Sequence, residues 1–254
     1  MIGLILGTSE GKKILSLLNK YTEDIFVTTA TTYGGELLKD YKYKVLNTKP
    51  LDEQNLKEAL INNGVTTLVD ASHPYAEEIT KNAQKICMEL SIEYVRYERP
   101  SIIKKYKDEK WIIEVESYEE LKDKLANFEG CILNTTGSRN IEKIQELKLD
   151  NRIVHRILPS TKVMEKMFSL DVKIENLIAI KGPVSYELNC AFIKEYNAKA
   201  IILKDSGRAG GTEEKLKASK DCGIYAFVLK RNITKYENVY SSEEALVDYL
   251  KSKI

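Results

Sequence analysis

The chain has 254 residues, of which 43% are hydrophobic and 30% charged, a length that suits one large domain or two small ones. Its 39 basic and 38 acidic residues leave a formal net charge of +1, which is too small to attract nucleic acid or an anionic membrane. No apolar run approaches the roughly 20 residues of a membrane span, and the first residues have the character of a strand and not of a signal peptide. We therefore expect a cytoplasmic protein that binds neither nucleic acid nor membrane.

The cysteines and histidines argue against a metal site. Four cysteines, at positions 87, 131, 190 and 222, are scattered without a CxxC pair, and neither His73 nor His155 lies near a cysteine in the sequence. We expect reduced thiols and no protein-bound metal.

Short apolar segments alternate with helical periodicity over the first hundred residues. The clearest helix is 75–90, and the predicted strands are 2–6, 25–29, 65–70 and 92–96. Alternation of this kind predicts parallel strands covered by helices.

The alternation stops at Arg99-Pro100, and the charged, aperiodic residues 101–110 indicate a connector. A second series follows, with predicted helices at 118–126, 161–168, 186–196 and 213–222 and predicted strands at 111–115, 131–135, 152–156, 177–180, 200–203 and 225–229. We predict an α/β fold of two Rossmann-like, doubly wound parallel-sheet domains, residues 1–100 and 101–254, with the active site in the cleft between them.

The first predicted strand ends in Gly7-Thr8-Ser9-Glu10-Gly11, which we call the elbow, and an amphipathic helix follows it. Glycine lets the backbone approach a phosphate closely, and a helix N-terminus supplies N–H groups and the positive end of a dipole. The spacing matches neither GxGxxG nor a P-loop, so a capped turn without a ligand is the alternative. The elbow is our first candidate for a phosphate-binding turn.

The second predicted strand leads into Thr29-Ala30-Thr31-Thr32-Tyr33-Gly34-Gly35, which contains no acidic residue. NAD-binding folds usually place Asp or Glu here, where the carboxylate binds the ribose hydroxyls. The neutral, hydroxyl-rich stretch favours NADPH and leaves NADH open.

Further candidates follow other predicted strands. Asp70-Ala71-Ser72-His73-Pro74-Tyr75-Ala76 lies where a strand passes into a helix, and His73 is there either a functional group or a capping residue. Three loops of the second half combine glycine with basic residues and predict an anion site, or else a solvated basic rim. They are Thr135-Thr136-Gly137-Ser138-Arg139, Lys181-Gly182-Pro183-Val184-Ser185 and Lys204-Asp205-Ser206-Gly207-Arg208-Ala209-Gly210-Gly211. Their cations Lys204, Arg208, Arg139 and Lys181 would then bind carboxylates.

Two histidines do not suffice for a convincing Ser-His-Asp triad, and no close pair of acids suggests glycoside chemistry. Hydride transfer fits this set of residues, because a cofactor then supplies the chemistry and the protein positions it.

These segments, together with Arg96-Tyr97-Glu98-Arg99-Pro100 and Arg156-Ile157-Leu158-Pro159, occur in an order that resembles the precorrin-6A / cobalt-precorrin-6A reductase family of cobalamin biosynthesis. The resemblance extends from Gly7 to about Leu229. It implies an NADPH- or NADH-dependent oxidoreductase that reduces one carbon–carbon double bond of (cobalt-)precorrin-6A to give (cobalt-)precorrin-6B.

The resemblance also implies roles for individual residues. The catalytic candidates are His73, Tyr33 and Asp205, of which His73 is the first candidate for proton donor. The cofactor-binding residues would be Gly7, Thr8, Ser9, Gly11, Thr31, Thr32, Gly34, Gly35, Ala71 and Ser72. The tetrapyrrole substrate would contact His73, Pro74, Thr136, Gly137, Ser138, Arg139, Lys181, Gly182, Pro183, Ser185, Lys204, Asp205, Ser206 and Gly207.

We expect a monomer or a weak homodimer. The alternatives are a two-lobed protein that binds a small molecule or a nucleotide sugar without redox chemistry, and a nucleotide-sugar transferase. The sequence does not decide between NADPH and NADH, or between a cobalt-containing and a metal-free substrate.

Overall fold

The computed structural model describes residues 1–7, 10–106, 108–232 and 235–254. The chain forms two compact units, Met1–Pro100 with Ile233–Ile254, and Ser101–Asn232, which we call the first and the second unit. Each contains a six-stranded sheet with every strand pair parallel, which confirms the predicted α/β fold of two doubly wound sheets. No helix in the described ranges is long and apolar enough to cross a membrane.

The first unit begins with five strands and four helices in alternation. The strands are β1 (Ile2–Leu6), β2 (Ile25–Thr28), β3 (Val45–Asn47), β4 (Thr67–Ala71) and β5 (Glu93–Tyr97), and the helices are α1 (Gly11–Leu18), α2 (Thr32–Glu36), α3 (Glu53–Asn62) and α4 (Glu77–Leu90). The strands lie in the order β3-β2-β1-β4-β5. The direction of winding therefore reverses between β1 and β4, and open parallel sheets bind ligands at such a switch point.

The second unit repeats this arrangement. Its strands are β6 (Ile112–Val115), β7 (Cys131–Asn134), β8 (Ile153–Ile157), β9 (Leu177–Ala179), β10 (Ala198–Lys204) and β11 (Tyr225–Leu229), and its helices are α5 (Tyr118–Leu125), α6 (Ile141–Glu146), α7 (Thr161–Ser169), α8 (Tyr186–Glu195) and α9 (Thr212–Asp221). The order β9-β8-β7-β10-β11-β6 places the switch point between β7 and β10.

The carboxyl-terminal segment corrects the predicted domain boundary. β12 (Val239–Tyr240) pairs with β5, and α10 (Glu243–Leu250) packs against α1. The prediction that assigned 101–254 to the second domain is therefore wrong for this segment. β12 satisfies the backbone groups at the outer edge of β5, and Leu246, Val247 and Leu250 enter the core of the first unit.

The predicted connector, 101–110, also contributes to a core. Ile102 and Ile103 are buried among the apolar residues of the second unit, and a short 3₁₀-helix spans Ile103–Tyr106. The sequence does not predict this burial, because two apolar residues among charged ones are too few to show a periodicity.

The inner strands are buried on both faces because helices cover each side of the sheet. In β1 and β4 every residue is buried, as expected for parallel strands with helices above and below. Their side chains alternate between a core under α1 and α10 and a core under α3 and α4. Packing on both faces fixes the carboxyl ends of β1 and β4, where the elbow and the His73 loop begin.

Candidate active site

The elbow is held against the end of β4. The Gly7 N–H donates to the Ala71 carbonyl at 3.1 Å, and a Cβ on Gly7 would lie 3.4 Å from the same oxygen. Gly11 is buried at the start of α1, where a Cβ would lie 3.0 Å from the Leu6 side chain. Gly11 thus allows the close approach of helix to strand, a role that glycine has in Rossmann turns, whereas a Cβ on Gly7 would make an ordinary contact. Thr8 and Ser9, the remaining predicted elbow residues, lie outside the described residues.

A buried ion pair lies in the elbow. Arg99 Nη2 is 2.5 Å from Glu10 Oε2, and both side chains are less than a tenth exposed. Burial raises the pKa of Glu10, and the Arg99 guanidinium opposes this shift. The elbow therefore contains a neutral pair, so a bound phosphate would depend on backbone N–H groups and the α1 dipole and not on a net positive charge.

A second buried pair supports the His73 loop. Arg96 Nη1 lies 2.9 Å from Asp70 Oδ1, and both side chains are almost fully buried. Asp70 also accepts hydrogen bonds from the Ser72 N–H at 2.9 Å and from the Thr80 hydroxyl at 2.7 Å. Arg96 donates to the Ser72 hydroxyl at 3.1 Å. These contacts fix the backbone that carries Ala71, Ser72 and His73 at the end of β4.

His73 is half-buried, and its ring packs 5.8 Å from that of Tyr75. The Tyr75 N–H donates to His73 Nδ1 at 3.3 Å, so the neutral ring carries its proton on Nε2. Pro74, also half-buried, follows in the same loop. His73 is thus an oriented imidazole next to the switch point of the first unit.

The segment after β2 is shaped by Thr31. Its hydroxyl accepts a hydrogen bond from the Gly34 N–H at 3.0 Å and caps α2. Gly34 and Gly35 are buried, and a side chain on Gly35 would collide with the Thr48 methyl group. Thr31, Thr32 and Tyr33 are exposed at the carboxyl edge of the sheet. Hydroxyls therefore line the edge beside β1 where an acid would bind an NAD ribose.

In the second unit, the end of β7 is a buried hydrogen-bonded turn. The Thr136 N–H and hydroxyl both donate to Asn134 Oδ1, at 3.0 and 2.8 Å. The Asn134 amide nitrogen lies 2.9 Å from His155 Nδ1. Gly137 follows with a φ of 92°, which favours glycine. The predicted loop is thus a preformed turn with Ser138 half-buried and Arg139 exposed.

Asp205 is a buried carboxylate with partners inside the second unit. It lies 3.4 Å from Arg231 Nη2 and accepts the Ile102 N–H at 3.2 Å. The Ser206 N–H donates to the Thr212 hydroxyl at 3.0 Å, and Gly207 has a φ of 72°. Asp205 therefore anchors the loop after β10 against the start of the second unit.

The basic residues predicted to bind substrate differ in exposure. Lys181, Gly182, Pro183 and Ser185 are exposed, whereas Lys204 is half-buried. The Ser185 hydroxyl accepts the Leu188 N–H at 3.2 Å and caps α8. The loops after β9 and β10 meet, since a Cβ on Gly211 would lie 2.9 Å from that of Pro183. The structure thus brings two of the three predicted loops into contact.

The sequence pattern assigns no role to two cations of the second unit. Arg156, near the end of β8, donates to Asn189 Oδ1 at 2.8 Å. Lys215, in α9, is only 5% exposed and donates to the Gly210 carbonyl at 3.1 Å. Burial lowers the pKa of Arg156 to about 10, and burial together with the Arg156 charge lowers that of Lys215 to about 7. The burial of Lys215 could have been inferred from its helical spacing, since it shares one face of α9 with the buried residues Thr212, Leu216 and Ser219.

Within residues 1–7, 10–106, 108–232 and 235–254, no group of three or more His, Cys, Asp or Glu side chains could hold a metal ion. The four cysteines are free thiols, and burial raises the pKa of Cys87 to about 12.

The topology and the turns at both switch points define a two-unit Rossmann-type α/β protein. A family model described as "Precorrin-6x reductase CbiJ/CobK" matches residues 1–251. The cobalt-precorrin-6A reductase of Priestia megaterium is 34% identical over 253 residues, 98% of each chain. The enzyme of that name from Methanocaldococcus jannaschii is 34% identical over 244 residues, 94% of this chain and 92% of the relative.

A solved structure of CobK precorrin-6A reductase matches with a TM-score of 0.76 over 99% of this chain and 96% of that chain. Its sequence identity is 14%, so it supports the fold alone. The chain belongs to the precorrin-6x reductase family, as its match over residues 1–251 shows, and it is therefore a member of a family of oxidoreductases.

Proposed function

We propose that this protein reduces one carbon–carbon double bond in the macrocycle of cobalt-precorrin-6A, with NADPH or NADH as the reductant, to give cobalt-precorrin-6B in cobalamin biosynthesis. The family match over residues 1–251 carries this proposal. The cobalt-containing substrate is preferred to metal-free precorrin-6A because the relatives from P. megaterium and M. jannaschii bear that name.

The first unit has the features that a dinucleotide requires. Its strand order reverses beside the elbow, and the start of α1 there offers backbone N–H groups and the positive end of the helix dipole to a pyrophosphate. Gly7, Gly11, Ala71 and Ser72 would hold the pyrophosphate side, together with Thr8 and Ser9. The exposed hydroxyls of Thr31 and Thr32, with Gly34 and Gly35 packed behind them, would hold the ribose.

The charges near the Thr31 hydroxyl support a preference between the two nicotinamide cofactors. An NADPH 2′-phosphate is disfavoured by a nearby carboxylate, and none occurs at residues 29–35. We therefore propose NADPH as the preferred reductant, with NADH as the weaker one.

When bound, a reduced nicotinamide supplies the hydride for the reaction. The chain must supply a proton for the neighbouring carbon. We assign this proton to His73 in its imidazolium form, which arises when the ring takes up a proton from solvent at Nδ1 and the hydrogen bond from the Tyr75 N–H breaks. Nε2 then gives its proton to the substrate carbon, and Nδ1 keeps the other. Tyr33 is exposed at the same sheet edge and would cover the reacting ring. The paired state of Asp205 supports an anchoring role for that residue in place of proton transfer.

The second unit would hold the acidic arms of the substrate. Three cations, Lys204 and the exposed Lys181 and Arg139, can form ion pairs with carboxylates. The backbone turns at Thr136–Ser138 and Ser206–Gly207 supply N–H groups as further donors. Gly182, Pro183 and Ser185 would form the wall of this surface.

The direct test is a reduction assay with purified protein and cobalt-precorrin-6A, comparing NADPH with NADH and the cobalt form with the metal-free form. We expect nicotinamide oxidation together with a product heavier by two hydrogens. Absence of turnover with both nucleotides and both macrocycles would refute the proposal. A higher kcat/KM with NADH than with NADPH would refute the cofactor preference alone.

A further inference from the structure

Arg156 and Lys215 form a cationic pair at the loops that follow β9 and β10. Arg156 donates a hydrogen bond to Asn189 Oδ1. The Asn189 amide in turn donates to the carbonyls of Val184 and Ser185 at 3.3 and 2.8 Å. Lys215 is tied to Gly210. Because the two loops touch at Pro183 and Gly211, both cations are held by the same part of the second unit.

The pair lacks a matching negative charge. Among the described residues, no ion pair includes Arg156 or Lys215, and none of the five residues outside the description is acidic. In the part of the chain that the structure describes, the acid whose charge favours protonated Lys215 is Glu214. Its Oε2 is nevertheless buried without a hydrogen-bond partner.

This arrangement is costly without an anion. Arg156 disfavours the charged form of Lys215, and burial disfavours the charge of both residues. When Lys215 carries its charge, it and Arg156 place two positive side chains beside one acidic residue, Glu214. A single carboxylate would balance this excess, and it would take hydrogen bonds from a guanidinium and an ammonium group at once.

We propose that Arg156 and Lys215 bind one carboxylate arm of the tetrapyrrole substrate, an assignment that rests on the proposed function. The guanidinium has donors besides the Nη1 group that is bound to Asn189, and the ammonium has donors besides the one bound to Gly210. Asn189 and the Gly210 carbonyl position the two cations.

The first experiment measures kcat and KM for cobalt-precorrin-6A in Arg156→Gln and Lys215→Met. Each change removes charge-assisted hydrogen bonds to the carboxylate, so we expect KM to rise by about tenfold to a hundredfold with kcat nearly unchanged. Arg152→Gln and Lys217→Met are matched controls on the same strand region and the same helix, and both wild-type side chains are exposed. The controls should keep the wild-type KM.

The denaturation midpoint of Lys215→Met distinguishes an anion-binding role of Lys215 from a purely structural one. If Lys215 serves only to hold the Gly210 carbonyl, Lys215→Met should lower the denaturation midpoint and leave KM unchanged. If it binds an anion, the ligand-free variant should be at least as stable as the wild type, because a buried charge and its repulsion from Arg156 are removed. Lys215→Arg should restore part of the substrate affinity.

Binding of a stable porphyrin that carries acetate and propionate arms, followed by fluorescence without any nucleotide, separates the site from the reaction. Weaker porphyrin binding in both variants would support the site even if the wild type reduced no precorrin. A wild type that reduces the substrate, with unchanged KM and porphyrin affinity in both variants, would overturn the site and leave the proposed function standing.

Discussion

His155 is held as a neutral ring inside the second unit, and acid should therefore destabilise that unit through this one residue. The Thr136 N–H and hydroxyl both donate to Asn134 Oδ1, which orients the amide so that its NH₂ group faces His155. Nδ1 must then accept the hydrogen bond at 2.9 Å and cannot carry a proton. Protonation of Nδ1 would place its N–H against the Asn134 NH₂ group, and water could not relieve this repulsion because His155 is only 4% exposed.

The size of the effect follows from the two pKa values of the ring. Burial lowers the pKa of His155 from 6.5 to about 4 in the folded chain. Between these values the unfolded state binds more protons, so stability is full above pH 6.5 and declines as the pH falls towards 4. The linkage relation gives a loss of about 2 kcal/mol at about pH 5 and of about 3 kcal/mol once the folded ring is also protonated.

Unfolding of the second unit can be followed through Trp111, the only tryptophan in the chain. We would measure the urea-unfolding free energy at about pH 7.5 and about pH 5 for the wild type and for His155→Gln. The glutamine carbonyl can accept the Asn134 hydrogen bond but does not titrate, so the variant should lose about 2 kcal/mol less over this range. Equal losses in the two proteins would refute the assignment of a neutral, buried His155.

Three further predictions concern the first unit. Arg99→Met leaves the buried Glu10 carboxylate unpaired and should cost about 3–5 kcal/mol of unfolding free energy, and adding Glu10→Gln should recover most of it; no recovery would contradict a direct pair. Gly35→Ala should cost about 1–3 kcal/mol through its collision with the Thr48 methyl group, and Thr48→Ser should relieve that cost in a double-mutant cycle. His73→Ala should lower kcat by about 10²–10⁴ while nucleotide affinity measured by fluorescence titration stays at the wild-type value; unchanged turnover would exclude His73 as the proton donor.

The inner strands of both sheets could be predicted from the sequence, whereas helix α2 and the edge strand β12 could not. The apolar runs of the inner strands are visible because both faces of each strand are buried. Helix α2 has no such signal, since it contains Gly34 and Gly35 and depends on the Thr31 cap and on packing against Thr48. Strand β12 has two residues and exists because the edge of β5 is there to pair with it.

The positions of the candidate site's loops could be predicted from the sequence, but the ion pairs that neutralise its cations could not. The carboxyl ends of parallel strands can be placed from the strand pattern, so the loops at Gly7, His73 and Gly137 were found. Which cations are neutralised depends on contacts across the sequence, such as Arg99 with Glu10 and Arg96 with Asp70. No sequence spacing indicates these partners.

The two units differ in how their buried cations are paired, and this difference supports the two different ligands proposed for them. In the first unit the buried cations Arg96 and Arg99 are each neutralised by an acid, so its switch point offers backbone N–H groups and a helix dipole, which suit a pyrophosphate. In the second unit Arg156 and Lys215 have no such partner among the described residues and offer donors with excess positive charge, which suit carboxylates. Under the proposed function, the same strand order would serve a dinucleotide in one unit and the acidic arms of a macrocycle in the other, because the pairing of these buried cations differs while the strand order does not.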